Sequence, residues 1–320
     1  MFQPRSEEDT SVGGALGTVG MSLERRRYQE AGFSEAVVGT IQAGRRESST
    51  KLYATYWRLF ERHCVQKGIN PVQADIGTGL NFLQELLDDP KIYRGYSAIN
   101  TARSALSAVI IRDSGIQFGE HPDVKLFMKG VFNQRPTRPR YTEIWDSNDV
   151  LEFLKTWWPA KRMSMKRLTL KLAMLILLVT GQRGQILSGL DVENMQISDS
   201  CYKFTVDNKF WKQSRRGYKP EQIVLKKFPA DKRLCVFHYL TVYLERTLDC
   251  RGTVKQLFLT LKKPYEGASR DTLARWIKEV LKLAGINVGV FGPGSTRSAS
   301  TSKAQQQGAS VDELLRGGVE

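Results

Sequence analysis

The run Arg135-Pro136-Thr137-Arg138-Pro139-Arg140 constrains this chain more than any other stretch. Each proline ends a helix that reaches it, because it lacks the amide hydrogen and its ring clashes with the preceding turn. The three arginines beside and between the prolines keep the run in water, so it reads as an extended basic connector. A chain interrupted here has to bury its apolar residues in two bodies. The division expected is a flexible N-terminal arm over residues 1–33, a helical domain over 34–134, a basic linker over 135–144 and a second domain over 145–320. Both folded parts are of ordinary domain size.

Ahead of the break, the arm is rich in Gly, Ser and Glu and has no sustained period, and its Glu24-Arg25-Arg26-Arg27 cluster reads as a solvated face. From Ser34 the pattern turns helical. Ser48 or Ser49 suits the cap of a helix whose apolar stripe is Tyr53, Tyr56, Trp57, Phe60 and Cys64. A second helix follows Asp75 and buries Leu80, Phe82, Leu83 and Leu86. A third runs from near Ser97 through Ile99, Ala102, Leu106 and Ile110 to a stop at Gly115, and a fourth covers Pro122 to Phe132. Beyond the break, Ser147 suits the cap of a helix through Leu151, Leu154 and Trp158, and a strongly apolar helix from Leu168 to Thr180 stops at Gly181. The period then shortens. Met195–Ser198, Tyr202–Val206 and Gln222–Lys226 read as short strands, the last two flanking a basic loop. Helices resume at Asp231–Leu248, Ser269–Leu283 and Thr296–Gln306, with Ser310 capping a final short one. The fold class predicted is mainly α, with a small three-stranded antiparallel sheet in the second domain.

Charge narrows the partners. The net charge is +15, a surplus most simply explained by a polyanion, and nucleic acid is the commonest one. A membrane is disfavoured, because the longest apolar run, Leu172–Val179, is far short of the roughly 20 residues a span needs. Cys64, Cys201, Cys235 and Cys250 are scattered without CxxC pairing, and the histidines are His63, His121 and His238, so neither a zinc site nor a disulfide framework is expected. No cofactor or metal is expected. The acidic Glu7-Glu8-Asp9 and the lack of an apolar core argue against a signal peptide at the N-terminus.

Three basic residues border structural elements. Arg183 follows the end of the buried helix, where an arginine also simply complements the helix dipole. Arg297 opens a helix of small polar residues, where it opposes the dipole; there, backbone N–H groups and a guanidinium converge on one phosphate. Lys212 lies in the loop between two strands, and most such lysines are solvated. In combination the order is informative. Thr180-Gly181-Gln182-Arg183, continuing to Leu190, resembles the first arginine box of the tyrosine recombinase (phage integrase) family. Ser295-Thr296-Arg297-Ser298-Ala299-Ser300-Thr301-Ser302-Lys303-Ala304 is similar to the second box as found in DIRS-type retrotransposons. Ile99 to Ser107 and Met128-Lys129-Gly130-Val131 are similar to stretches of the same elements' SAM-like core-binding domain. The resemblance covers residues 34–320.

That resemblance implies DNA integration and recombination by metal-free strand transfer. Arg183 and Arg297 would grip the scissile phosphate, Lys212 (or its near alternative Lys209) would protonate the leaving 5′ oxygen, and a tyrosine would form a 3′-phosphotyrosyl link. Two departures stand out: the last tyrosine is Tyr265, ahead of Arg297, and Gly294 stands where the family has a histidine. The chain is therefore expected to stop before its nucleophile and to be inactive by itself. Expected duplex contacts are Lys51, Asn100 and Arg103 in the first domain, Arg135, Arg138 and Arg140 in the linker, and Arg215, Arg216 and Lys219 in the hairpin. Each also suits a solvated surface, and only the set points to DNA. Double-stranded DNA is the expected partner. Self-association on DNA is expected to be weakened by the missing C-terminal segment, leaving a monomer in solution, and a DNA substrate in a eukaryotic element implies a nuclear location. The alternatives are a non-catalytic DNA-binding relic or domesticated module, and a basic helical scaffold for RNA or acidic proteins.

Overall fold

Apolar residues at helical spacing on either side of the proline–arginine run collect into separate cores. The chain divides into two units, Met1–Arg138 and Pro139–Glu320. The computed structural model describes residues 15–110, 115–137, 141–211 and 222–308, with side chains from Leu23 onward.

The first unit contains α1 (Ala15–Glu30), α2 (Glu35–Ala43), α3 (Glu47–Gln66), α4 (Ile76–Asp88), α5 (Tyr96–Leu106) and α6 (Pro122–Gln134). The predicted stripes face one another. Trp57, Phe60 and Cys64 of α3 meet Phe82, Leu83 and Leu86 of α4 and Ile99, Ala102 and Leu106 of α5 in one core. The Trp57 indole donates to the Ala105 carbonyl at 2.8 Å, so the largest side chain of this core has its polar atom satisfied. Asp75 caps α4 through the Thr78 N–H at 2.7 Å.

Several expectations for this unit are corrected. Residues 15–30 are not part of a flexible arm but form α1, which buries Leu23 and Tyr28. The Glu24–Arg27 cluster is a solvated face only in part: Arg25 and Arg26 are exposed, whereas Glu24 is buried and Arg27 half-buried. Glu24 is buried and paired with Arg45, Arg26 pairs with Glu61, and Arg27 donates to the Ala108 carbonyl at 2.7 Å. The helix is fastened by ion pairs, which leave no apolar period to read. Arg46, not Ser48 or Ser49, is the N-cap of α3. The third predicted helix ends at Leu106, with Ser107 as its C-cap accepting the Gly119 N–H on its hydroxyl at 2.7 Å; Val109 and Ile110 are still buried, in the turn that follows.

The second unit contains α7 (Ser147–Lys155), α8 (Met165–Thr180), β1 (Met195–Ile197), β2 (Cys201–Phe204), β3 (Ile223–Lys226), α9 (Val236–Arg251), α10 (Arg270–Leu283) and α11 (Ser295–Gln306). As read from the sequence, the three strands form an antiparallel sheet, ordered β1-β2-β3, with Met195 opposite Phe204 and Phe204 opposite Ile223. The chain is mainly helical with this one small sheet. The apolar α8 is the axis of the unit: it is buried continuously from Leu168 to Leu177, and α9, α10, α11 and β3 pack around it. Asp146 rather than Ser147 caps α7, through the Asn148 N–H at 2.9 Å. α9 begins at Val236, not Asp231, because the Asp231 carboxylate takes the backbone N–H and guanidinium of Arg233 and holds a turn there. The helix predicted to start at Ser310 lies outside the described residues.

Candidate functional site

The site is assembled by the end of one helix and the start of another. α8 stops at Gly181, whose φ of +58° is left-handed backbone that only glycine adopts freely. The chain then turns so that Arg183 stands at the entrance of a 3₁₀ helix, Gly184–Gly189. Arg297 lies in the first turn of α11. These two places meet because α11 lies on the C-terminal end of α8. The Ser300 hydroxyl donates to the Leu178 carbonyl at 2.6 Å, and a Cβ on Gly181 would sit 3.4 Å from Cγ2 of Thr301. Both arginines are half-buried, and among the described residues neither is paired with a carboxylate. Burial, and then the charge of Arg183, pull the Arg297 guanidinium below its ordinary value. Two neighbouring cations kept free of carboxylates in a partly desolvated place form a ready anion site.

The strand side of the site is held by the same 3₁₀ helix. Gln185 donates to the Phe210 carbonyl, and a Cβ on Gly189 would come within 2.6 Å of the Phe210 ring, so the Asn208–Phe210 turn packs directly on the helix that follows Arg183. The Trp211 indole fastens the end of that turn to the Val206 carbonyl at 3.1 Å. Lys209 is exposed on it, its ammonium 3.4 Å from Asp207. Lys212, Arg215, Arg216 and Lys219 lie outside the described residues, as do Arg138 and Arg140. At the start of α11, a Cβ on Gly294 would meet nothing within 4 Å, so the position where the resemblance leads one to expect histidine has room for a side chain.

The chain shows similarity to solved recombinase structures. It resembles the XerH site-specific recombinase bound to palindromic difH substrate in a post-cleavage complex, at 15% identity and TM-score 0.55, over 99% of this chain and 92% of that one. It is also similar to the Tn1549 transposon integrase in complex with circular intermediate DNA, at 14% identity and TM-score 0.54, over 93% of this chain and 90% of that one. XerH in its pre-cleavage complex matches at 14% identity and TM-score 0.53, over 99% of this chain and 93% of that one. No family model and no curated protein matches the sequence. The chain shares the recombinase fold.

The candidates in the first unit are placed differently from one another. Lys51 is exposed on α3 and paired with Glu47 one turn before it. Asn100 and Arg103 are half-buried on α5, and the Arg103 Nε is buried with no hydrogen-bond partner among the described residues. Arg135, read as part of an extended connector, instead ends α6, donates to the Arg94 carbonyl at 2.9 Å and lies over the Tyr93 ring. Sequence reasoning missed two features of the second unit. Lys171 is buried in the core, with Nζ 2.6 Å from the Leu154 carbonyl, 2.7 Å from that of Trp157 and 2.7 Å from the Tyr239 hydroxyl. Trp145 donates its indole N–H to the Ser295 hydroxyl at 2.9 Å. Neither contact has a sequence signal, since the partners lie far apart in the chain.

Proposed function

We propose that this chain is a DNA-binding protein of the tyrosine recombinase type, acting in recombination or integration of a mobile element, with double-stranded DNA as its partner. The observation that carries the reading is the pair of half-buried arginines, Arg183 and Arg297, near enough that the charge of Arg183 helps lower the Arg297 guanidinium, with neither paired to a carboxylate among the described residues. Bidentate guanidinium groups suit the non-bridging oxygens of a phosphodiester, where negative charge builds in the transition state. The recombinase fold supports the same reading, as do the DNA complexes in which XerH and the Tn1549 integrase were solved. Lys212, with Lys209 as the near alternative, is the proposed general acid to the leaving 5′ oxygen. A nuclear location is part of the same proposal.

No attacking residue is assigned. Near Arg297 the hydroxyls of Ser300 and Thr301 already donate to the carbonyls of Leu178 and Arg297. Gly294 supplies neither a hydrogen bond nor a proton, which favours a second reading in which the protein binds duplex without cutting it.

Duplex binding across a salt series, with a nicked suicide substrate to trap covalent product, tests both readings. Each phosphate contact adds about 0.9 to the slope of log K against log salt, so the Arg183→Ala, Arg297→Ala double variant is expected to lose about two contacts' worth of slope. A trapped adduct would establish cleavage. Its absence, with steep salt dependence, supports binding alone, and no binding at low salt overturns the proposal.

A further inference from the structure

The helix that carries Arg297 has little apolar surface of its own. In α11 the buried residues are Ser295, Thr296, Ala299, Ser300 and Ala304, and no side chain caps its start. A helix so placed is positioned by polar tethers more than by packing. One tether is the Ser300 hydroxyl on the Leu178 carbonyl; others come from Tyr141–Asp146, the short segment that joins the basic run to α7. The Tyr141 ring lies against Phe291, with centroids 5.2 Å apart, just ahead of α11. The Trp145 indole N–H donates to the Ser295 hydroxyl at 2.9 Å, and that hydroxyl donates onward to the Gly292 carbonyl at 2.7 Å. Trp145 and Ser295 are 6% and 3% exposed, so water does not compete for this relay. Asp146, which caps α7, lies 3.7 Å from the ammonium of Lys303, about two turns further along α11.

We infer that Tyr141–Asp146 is a positioning strap for Arg297, with Trp145 as its positioning residue. The inference rests on the reading of Arg183 and Arg297 as a phosphate grip. The relay passes through Ser295, two residues before Arg297, so it sets the first turn of α11 and the direction from which the guanidinium reaches the phosphate.

The test uses the full chain. Trp145→Phe keeps the aromatic bulk and removes only the indole donor; Ser295→Ala removes the acceptor and leaves the indole in place. Duplex affinity and salt slope are measured for both, for Arg297→Ala, and for the Trp145→Phe, Arg297→Ala double variant, with thermal melts to confirm folding. Arg297→Ala is expected to lower the slope by about one. Trp145→Phe and Ser295→Ala are expected to weaken binding by about fivefold each, the equivalent of one hydrogen bond. On the Arg297→Ala background Trp145→Phe is expected to have no further effect. The indole N–H resonance of Trp145, assigned by its loss in Trp145→Phe, is expected to shift when duplex is added to the wild type and to stay in place in Arg297→Ala. Additive losses, or a Trp145→Phe protein that binds like the wild type while Arg297→Ala binds weakly, overturn the strap and leave the grip standing. An Arg297→Ala protein with unchanged affinity and slope overturns the grip itself, and the strap falls with it.

Discussion

Lys171 is a fully buried ammonium group in the second core, and its surroundings explain how the fold tolerates it. With the proton on, Nζ donates to the Leu154 and Trp157 carbonyls and to the Tyr239 oxygen, while the Tyr239 hydroxyl donates to the Trp157 carbonyl at 3.2 Å. With the proton off, the two carbonyls keep their donors and the tyrosine hydroxyl is placed to donate to the amine instead. Burial pulls the lysine down to about 7, with the charge of Asp231 opposing. The sign follows directly. Between about pH 7 and the ordinary lysine value near 10.4 the unfolded chain holds a proton that the folded chain has released, so stability rises with pH across that window and is lost as pH falls through 7. Each unit of displacement is worth about 1.4 kcal/mol, well within the reach of denaturant melts. Lys171→Met is expected to flatten this rise while lowering stability at pH 10, where two buried carbonyls lose donors worth roughly 1–3 kcal/mol apiece. A wild-type protein whose stability is level from pH 7 to 10 would contradict the assignment.

At the scale of elements, the site depends on two glycines that do different things. Gly181 ends α8 in a left-handed conformation, and an alanine there is expected to cost about 1–2 kcal/mol through backbone strain. Gly189 has no positive φ; its lack of a Cβ instead lets Phe210 close on the 3₁₀ helix, and a methyl 2.6 Å from that ring forces the Asn208–Phe210 turn to move. Overpacking of this kind costs about 1–3 kcal/mol. Melting curves are expected to show both alanine variants destabilised. Only Gly189→Ala is expected to disturb the Trp211 environment, read as a shift of its indole resonance, because Trp211 ends the displaced turn. Equal perturbation of Trp211 by both variants would mean that the two glycines act through one shared element.

For the whole molecule, the two cores share no residue, and each falls wholly within one unit. Residues 1–138 and 139–320, expressed separately, are therefore each expected to unfold in a single cooperative transition near a temperature seen for the full chain. A fragment with native-like far-ultraviolet dichroism but no cooperative melt would show that its core is completed by the other. The charge of +15 acts at this scale too: it is spread along the chain, so general attraction to polyanions is expected to survive loss of the arginine pair, while the salt slope falls by about two contacts' worth.

Much of this protein was legible in its sequence wherever a local rule decides the outcome. The stripe of Tyr53, Trp57, Phe60 and Cys64, the cap at Asp75, the stop at Gly181 and the three short strands follow from periodicity, side-chain caps and backbone freedom, all of which act within a few residues. Arg183 and Arg297 could be singled out because each borders an element whose end the sequence marks. What escaped was decided at long range. α1 carries too few apolar residues to show a period and is held by ion pairs such as Glu24 with Arg45, so its folding depends on partners that only the assembled bundle supplies. Lys171 reads as one charge in an apolar helix until three oxygens from α7, the turn after it and α9 converge on it. The sequence by itself determined most of the helices and the three strands, because those choices follow from neighbours in the chain. Only the tertiary structure decided that Arg183 comes near Arg297 and that Trp145 reaches Ser295, because packing brings together residues that no local rule relates.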